Sequence, residues 1–111
     1  MDQLFELFGS RSAAYALLYL QAYESGHAAG ISKTFDVSLS SIQRQLRKFE
    51  SGGILVSRLM GNSRVFEFNP RSMTARNLQA LLADELKYLP EDTFEQYFTQ
   101  RRRPRRTGKA L

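Results

Sequence analysis

Arginine and small polar side chains recur at helical spacing between residues 38 and 48 of the chain. If this segment is a helix with Ile42 at 0°, Arg44 falls at about 200° and Arg47 at about 140°, opposite an apolar stripe. Guanidinium groups donate paired hydrogen bonds, which suit phosphate oxygens and the O6 and N7 atoms of guanine. The segment therefore predicts recognition of a polyanion such as double-stranded DNA. Its candidate contact residues are Ser38, Ser40, Ser41, Gln43, Arg44, Arg47 and Lys48.

Two more candidate contact residues follow in a predicted β-hairpin. The runs 54–60 and 64–69 are rich in β-branched and aromatic residues, and the sequence Gly-Asn-Ser at 61–63 predicts a turn between them. Arg58 and Arg64 lie in these runs. We expect both side chains to contact phosphates, although charged residues on short strands also serve to protect strand edges.

The carboxyl end of the chain is strongly basic. Six of the sixteen cations lie in the last eleven residues, which contain no acid. The arginines there are interrupted by Pro104, which forbids a regular helix, so the sequence predicts a basic disordered tail over 99–111. Arg101, Arg102 and Arg103 are candidate phosphate contacts, with a purely solubilising tail as the alternative.

Composition argues against most enzymes and metalloproteins. The 111 residues include no Cys and one His, so we predict no metal and no cofactor. The chain has no glycine-rich phosphate loop and no Cys nucleophile, and we predict that it is not an enzyme. His27 is predicted to be an ordinary residue of a loop or a helix start. The longest apolar stretch, 13–20, is short for a membrane span, which predicts a cytoplasmic, nucleoid-associated protein without membrane contact.

Helix and turn signals place these candidates in a definite order of elements. Ser10 and Ser38 are predicted helix caps, Asp36 is predicted to adopt a left-handed turn, and Gly26 and Pro90 are predicted to end helices. The predicted helices are a short leading helix at 4–8, a helix from the Ser10 cap to about 25, a weaker helix at 28–35, the cationic helix from 39 to the glycines at 52–53, a long helix at 74–89 and a short aromatic helix at 91–98.

The order of a weak helix, a tight turn, a cationic helix and a hairpin is the layout of a winged helix-turn-helix. In that arrangement the second helix of the pair enters the major groove and the hairpin lies along the DNA backbone. The predicted fold class is mainly α with a small β-hairpin, with flanking dimerisation helices. We predict one such domain over 1–98, followed by the tail at 99–111.

Residues 37–55 (VSLSSIQRQLRKFESGGIL) resemble the recognition helix and first wing strand of ArsR-type and MarR-type winged-helix transcriptional regulators. Residues 7–11 (LFGSR) resemble the opening of the same proteins, so the resemblance covers about 4–70. It implies a homodimer built by flanking helices. The ligands of the metal-sensing branch are missing, so a metal-responsive role is not implied. The residues that the resemblance implies in DNA contact are Ser40, Ser41, Gln43, Arg44 and Arg47, with Arg58 and Arg64 acting from the wing.

A leucine stripe in the long helix follows a nearly complete small domain. Such a stripe serves either the core or a dimer seam, and we predict a seam. The predicted seam consists of Leu78, Leu81, Leu82 and Leu86 of the long helix, with Leu4 and Phe8 of the leading helix.

The predicted function is sequence-specific binding of double-stranded DNA by a homodimeric transcriptional regulator, acting as a repressor. The main alternative is a winged-helix interaction module, such as an antitoxin that binds a partner enzyme from a neighbouring gene. A third reading is nonspecific nucleoid or RNA binding through the tail alone. Salt-dependent binding to duplex DNA would separate the first two readings.

Overall fold

The structure, a computed structural model, describes residues 1–99. This part of the chain forms six helices and one antiparallel hairpin, which confirms the predicted, mainly helical class. Within it, no helix has the length and apolar composition needed to cross a membrane. In chain order the elements are α1 (Asp2–Phe8), α2 (Arg11–Tyr23), α3 (Ala28–Phe35), α4 (Leu39–Ser51), β1 (Leu55–Met60), β2 (Ser63–Phe68), α5 (Met73–Lys87) and α6 (Glu91–Phe98).

Serine side chains cap three of the helices. The hydroxyl oxygens of Ser10, Ser38 and Ser72 accept hydrogen bonds from the backbone N–H three residues later, at 2.9, 3.2 and 3.0 Å. Such a cap is worth about 1 kcal/mol because it satisfies a donor that the helix itself leaves unpaired. The first two caps confirm the prediction. Ser72 was not predicted, and α5 begins at Met73, one residue before the predicted start.

Helix α3 depends on an unusual cap. The ring nitrogen Nδ1 of His27 accepts from the Gly30 N–H at 3.0 Å, so His27 lies at a helix start, as predicted. A Cβ atom on Gly30 would lie 2.7 Å from His27 Cε1, closer than real contacts allow. The glycine that weakens the helix signal therefore makes room for the cap. After α3, Asp36 has a left-handed backbone (φ 56°, ψ 51°), which confirms the predicted turn into α4.

The end of α2 differs from the prediction. The helix ends at Tyr23, and Glu24, not Gly26, adopts the positive φ of 74° that turns the chain. Gly26 instead pairs with Phe66 of β2 through two backbone hydrogen bonds of 3.1 and 2.8 Å. A Cβ atom at Gly26 would lie 2.5 Å from a ring carbon of Tyr19, so any other residue there would force the Tyr19 ring to shift. The residue that was predicted to stop α2 thus lies beside the hairpin and forms a single β-bridge to it.

The hairpin has a tighter turn than predicted. Met60 pairs directly with Ser63, which leaves Gly61 and Asn62 as a two-residue turn instead of the predicted three. Gly61 has a φ of 62°, as the first turn position of a type II′ hairpin requires. At the other end, Leu55 pairs with Phe68. This register fixes which hairpin side chains face the helices.

The core forms around α2, which contacts every other helix of the described chain in turn. Seven of its residues are buried, and its Tyr15 ring stacks on Phe35 of α3 with centroids 4.2 Å apart. Tyr97 of α6 lies against the same Phe35 ring at 4.9 Å. Ring pairs of this kind add about 0.5–1.5 kcal/mol each beyond their buried area. The short aromatic helix α6 is therefore held by the core, as its aromatic content requires.

The leucine stripe of α5 packs inside the protomer, which corrects part of the predicted dimer seam. Leu82 is fully buried and Leu4 of α1 is 3% exposed, so both are core residues that a second chain does not reach. Phe8, Leu78 and Leu86 are partly buried against the same core. The physical reason is that α5 packs its apolar side on α2 of its own chain. A seam remains a prediction for the partly buried Phe8, Leu78 and Leu86 and for Leu81, which is 39% exposed.

Candidate nucleic-acid interface

Helix α4 has one buried side and one exposed cationic side. Ile42 and Leu46 are completely buried, whereas Ser40, Arg44 and Arg47 are exposed. Lys48 is also exposed, with its ammonium 5.8 Å from the Phe49 ring centroid. The opposition of Ile42 and Arg44 agrees with the angles expected from the sequence. Two forked donors are therefore presented to solvent on a helix that its apolar side holds rigidly in place.

The hydroxyl groups at the start of α4 are used by the helix itself. Ser38 Oγ accepts from the Ser41 N–H, and the same hydroxyl donates to Ser41 Oγ at 2.7 Å. From the sequence, Ser38 is a predicted cap, whereas Ser40 and Ser41 could serve either the helix start or DNA contact. The structure makes Ser38 the cap of α4 and Ser41 its hydrogen-bond partner, and contact with DNA stays a prediction for both. Ser40 lies exposed beside Arg44 on the outer side.

A cavity of about 520 Å³, here called the groove, lies between α4 and the hairpin. Gln43 and Arg47 of α4 line one side, and Arg64 of β2 lines the other. The floor includes the buried side chain of Phe66, and Glu50 is an acidic wall residue. The fold thus brings together candidates from two elements that are far apart in the sequence. Arg47 and Arg64 give the groove two guanidinium donors.

Arg64 is held by a chain of hydrogen bonds that crosses the groove wall. Its Nη1 donates to Ser57 Oγ of β1 at 3.1 Å. Ser57 Oγ in turn donates to Glu50 Oε2 at the carboxyl end of α4, at 2.5 Å. Three elements, α4, β1 and β2, therefore meet through one serine hydroxyl.

Arg58 has a different partner on the other face of the hairpin. Its Nη1 lies 2.7 Å from Glu67 Oε2 in an ion pair whose side chains are 59% and 40% exposed. The register explains this contact, because Arg58 pairs with Val65 and Val56 with Glu67, which makes Arg58 and Glu67 diagonal neighbours. An exposed ion pair of this kind is weak in water, worth about 0–1 kcal/mol. Arg58 can therefore exchange Glu67 for a phosphate.

Sequence reasoning missed Glu50, Ser57 and Glu67 as partners of the candidate arginines. A signal for Glu67 was present, since the hairpin register and its alternation place it beside Arg58. No comparable signal existed for Glu50, because its contact depends on the angle between α4 and the hairpin.

Charge is divided between two parts of the described chain. Residues 28–68, which form α3, α4 and the hairpin, carry six cations and three acids and are called the basic region. Residues 73–98, which form α5 and α6, carry two cations and five acids and are called the acidic region. Clustered charges of one sign give each region an electrostatic potential of that sign. A polyanion is therefore attracted to the basic region and repelled by the acidic one.

The tail candidates Arg101, Arg102 and Arg103 lie outside the described residues, as does most of the predicted tail. Within residues 1–99, no three His, Asp or Glu side chains come together in a group able to hold a metal ion.

No protein-family model and no curated protein matches the chain, but several solved structures do. Reduced AbfR bound to DNA has 16% sequence identity and a TM-score of 0.56, and the match covers 85% of this chain and 70% of AbfR. A MarR-family transcriptional regulator from Rhodococcus sp. RHA1 has 17% identity and a TM-score of 0.53, covering 86% of this chain and 74% of its own. The antimony-specific transcriptional repressor AntR has 15% identity and a TM-score of 0.51, covering 79% and 80%.

These likenesses cover 79–86% of the chain. At such identities they establish the fold. The fold predicted from residues 37–55 is thereby confirmed: the chain has the winged helix-turn-helix architecture of MarR-type regulators.

Proposed function

We propose that the protein is a transcriptional regulator that binds double-stranded DNA at specific sequences, with α4 as the recognition helix. The observation that carries this proposal is the arrangement of α4, whose buried Ile42 and Leu46 leave Arg44 and Arg47 exposed on its outer side. Arg47 lines the groove together with Arg64 of the hairpin. A B-DNA major groove about 12 Å wide admits one helix, and guanine presents two acceptors there to a guanidinium group. One of the structures with this fold is bound to DNA, which supports the proposal.

The proposed roles of the side chains follow from their positions on α4. Arg44 lies opposite the buried stripe and reads base edges. Gln43 and Arg47 lie nearer the hairpin, where they contact bases or the adjoining backbone. Arg64 contacts phosphates from the hairpin, and the main-chain donors that open α4 add a positive helix end close by.

We further propose that the protein acts as a homodimer and represses by covering a promoter. Exposed apolar side chains on the acidic region support a protein contact there, since Leu81 is 39% and Tyr88 is 78% exposed. Leu81 lies on α5, and Tyr88 directly follows the last residue of that helix. A two-fold dimer would place its two α4 helices about 34–36 Å apart and would select a nearly palindromic site.

The deciding experiment selects bound duplexes from a random pool and compares the preferred duplex with a scrambled one. We expect Arg44→Ala to weaken binding to the preferred duplex by about 5- to 150-fold, the value of one bidentate base contact. Arg76→Ala on α5 is the matched control, because it removes an exposed arginine from the acidic region. Circular dichroism checks that both variants remain folded. A pool with no enriched sequence, or unchanged discrimination in Arg44→Ala, would contradict the proposal.

The acidic region supports a second candidate function, that of an interaction module which holds a partner protein such as a toxic enzyme from a neighbouring gene. Its five acids and the exposed Tyr88 suit a basic protein surface. This candidate predicts no salt-dependent shift on any duplex, whereas a regulator loses affinity steeply as salt rises. Titration of one duplex at several salt concentrations therefore separates the two functions.

A further inference from the structure

We propose that Ser57 and Glu50 are positioning residues that aim Arg64 at DNA in the groove, an inference that rests on the proposed function. The wing arginine alone was expected from the sequence. The structure adds a fixed hydrogen-bonded support behind it, running from Arg64 through the Ser57 hydroxyl to the Glu50 carboxylate.

The hairpin register places Ser57 where it can support Arg64. Ser57 pairs with Phe66, and Leu59 pairs with Arg64, so Ser57 and Arg64 are diagonal neighbours on one face of the hairpin. Phe66 is buried on that same face, which shows that it is the face turned toward the helices. Ser57 is itself half-buried, and Arg64 extends past it to the exposed rim of the groove.

The chemistry of the three groups determines which group donates and which accepts in each of the two hydrogen bonds. A carboxylate only accepts hydrogen bonds, so the single hydroxyl proton of Ser57 goes to Glu50. The lone pairs of Ser57 Oγ are then left to accept from Arg64. A guanidinium carries five N–H donors, and the one given to Ser57 leaves the others available for a phosphate. Glu50 thus determines how the serine hydroxyl points, and the serine determines how Arg64 points.

This support explains why an acid lies in a groove that otherwise offers donors. A free carboxylate beside DNA repels phosphates, and nothing else about the groove requires one. Because Glu50 lies at the carboxyl end of α4, its contact also connects the recognition helix to the hairpin. Arg64 is therefore held relative to α4, the element that reads the bases, and not only relative to its own strand.

Arg58 provides an internal comparison. It belongs to the same hairpin, but it lies on the other face and pairs directly with Glu67. No hydrogen bond in the described structure joins Arg58 to Ser57 or Glu50. A change at Ser57 should therefore alter what Arg64 contributes to DNA binding and leave the contribution of Arg58 intact.

The test is a double-mutant cycle measured as the dissociation constant for the preferred duplex. We expect Ser57→Ala to weaken binding by about 2- to 10-fold, the range of one hydrogen bond. The same change should have no further effect when Arg64→Ala is already present, because residues that act as a unit are not additive. It should keep its full effect in the Arg58→Ala background. Ser57→Thr retains the hydroxyl and should restore binding.

A second measurement tests in the DNA-free protein whether the Ser57 hydroxyl restricts the motion of the Arg64 side chain. The NMR order parameter of the Arg64 Nε–Hε group should fall in Ser57→Ala and recover in Ser57→Thr, while that of Arg58 stays constant. If Ser57→Ala fails to fold, Glu50→Ala removes the other end of the same support, and the Arg64 order parameter should fall in that variant. Additive effects of Ser57→Ala and Arg64→Ala, or an Arg64 side chain equally ordered in all variants, would overturn the proposal alone. Loss of duplex preference in the unaltered protein would instead overturn the proposed function.

Discussion

Helices α4 and α5 pack in the same way and differ in what they show to solvent. Each buries an apolar stripe against α2, and Ile42 of α4 and Leu82 of α5 are among the fully buried residues. On its exposed side α4 carries Arg44 and Arg47, whereas α5 carries Leu81 and is followed directly by the exposed Tyr88. The buried sides explain how the two helices pack, but they do not indicate which molecule each helix binds. The exposed sides differ in chemistry, and on this difference rests our proposal that α4 binds a polyanion and α5 a protein surface.

The largest expected effect separates the two sides of α5 itself. Leu82→Ala should lower the free energy of unfolding by about 2–5 kcal/mol, because it opens a cavity in a fully buried site. Leu81→Ala changes the adjacent exposed leucine and should lower the same free energy by less than about 1 kcal/mol. Urea unfolding of both variants at one protein concentration measures the difference. Equal losses would show that the core boundary on α5 lies elsewhere.

Removal of the basic tail should have the next largest effect. Deletion after Gln100 takes away six cations, and each lost phosphate contact should flatten the slope of log affinity against log salt by about 0.9. We expect a slope several units flatter, with the preference for the selected duplex over the scrambled one retained by α4. If the truncated protein loses that preference, the tail and not α4 reads the DNA sequence. The role proposed for the exposed side of α4 would then be wrong.

A charge on the exposed side of α5 should break the proposed dimer. Leu81→Asp is expected to give monomers by analytical ultracentrifugation and to weaken binding to a palindromic duplex by at least about tenfold, since one half-site is then bound alone. Ala80→Asp is the matched control, because residue 80 is exposed on another side of the same helix turn. A monomeric unaltered protein would leave Leu81 without the role proposed for it.

The smallest expected effect tests an acid inside the basic region. Glu67→Gln removes the partner of Arg58 and should strengthen DNA binding modestly, steepening the salt slope by up to about 0.9 as Arg58 becomes a phosphate contact. Glu91→Gln removes one acid from the acidic region and should leave both quantities unchanged. Equal effects of the two substitutions would mean that only net charge matters and that the location of the acids does not.

The elements of the fold were predictable where their signals are local. Ser10, Ser38 and Asp36 each act within a few residues of their own position, so the sequence alone places the first four helices closely. The start of α5 was predicted one residue late, because Ser72 was not identified as its cap. At Gly26 a local stop signal was misleading, because the glycine is needed for its close approach to Tyr19, and Tyr19 lies outside the local window.

The candidate site was only half predictable for a related reason. Periodicity shows which side of α4 carries Arg44, and the structure agrees. Periodicity also shows that Leu4 and Leu82 are buried, but it does not show whether their own chain or a second chain buries them. The support behind Arg64 depends on strand register and on an angle between two elements, and neither quantity is written in the residue types of Glu50 and Ser57.

The short pairing of Gly26 with Phe66 has a consequence for motion. An isolated two-stranded hairpin is marginally stable, but this one is anchored at its base by Gly26 and by Asn69, whose backbone N–H donates to Ile54 at 2.9 Å and whose side chain donates to Gly53 at 2.9 Å. Opening should therefore begin at the turn and stop at the anchored base. Within the hairpin we expect amide hydrogens near Gly61 to exchange fastest and that of Phe66 slowest. The turn of the hairpin should therefore move while its base stays fixed on the helices.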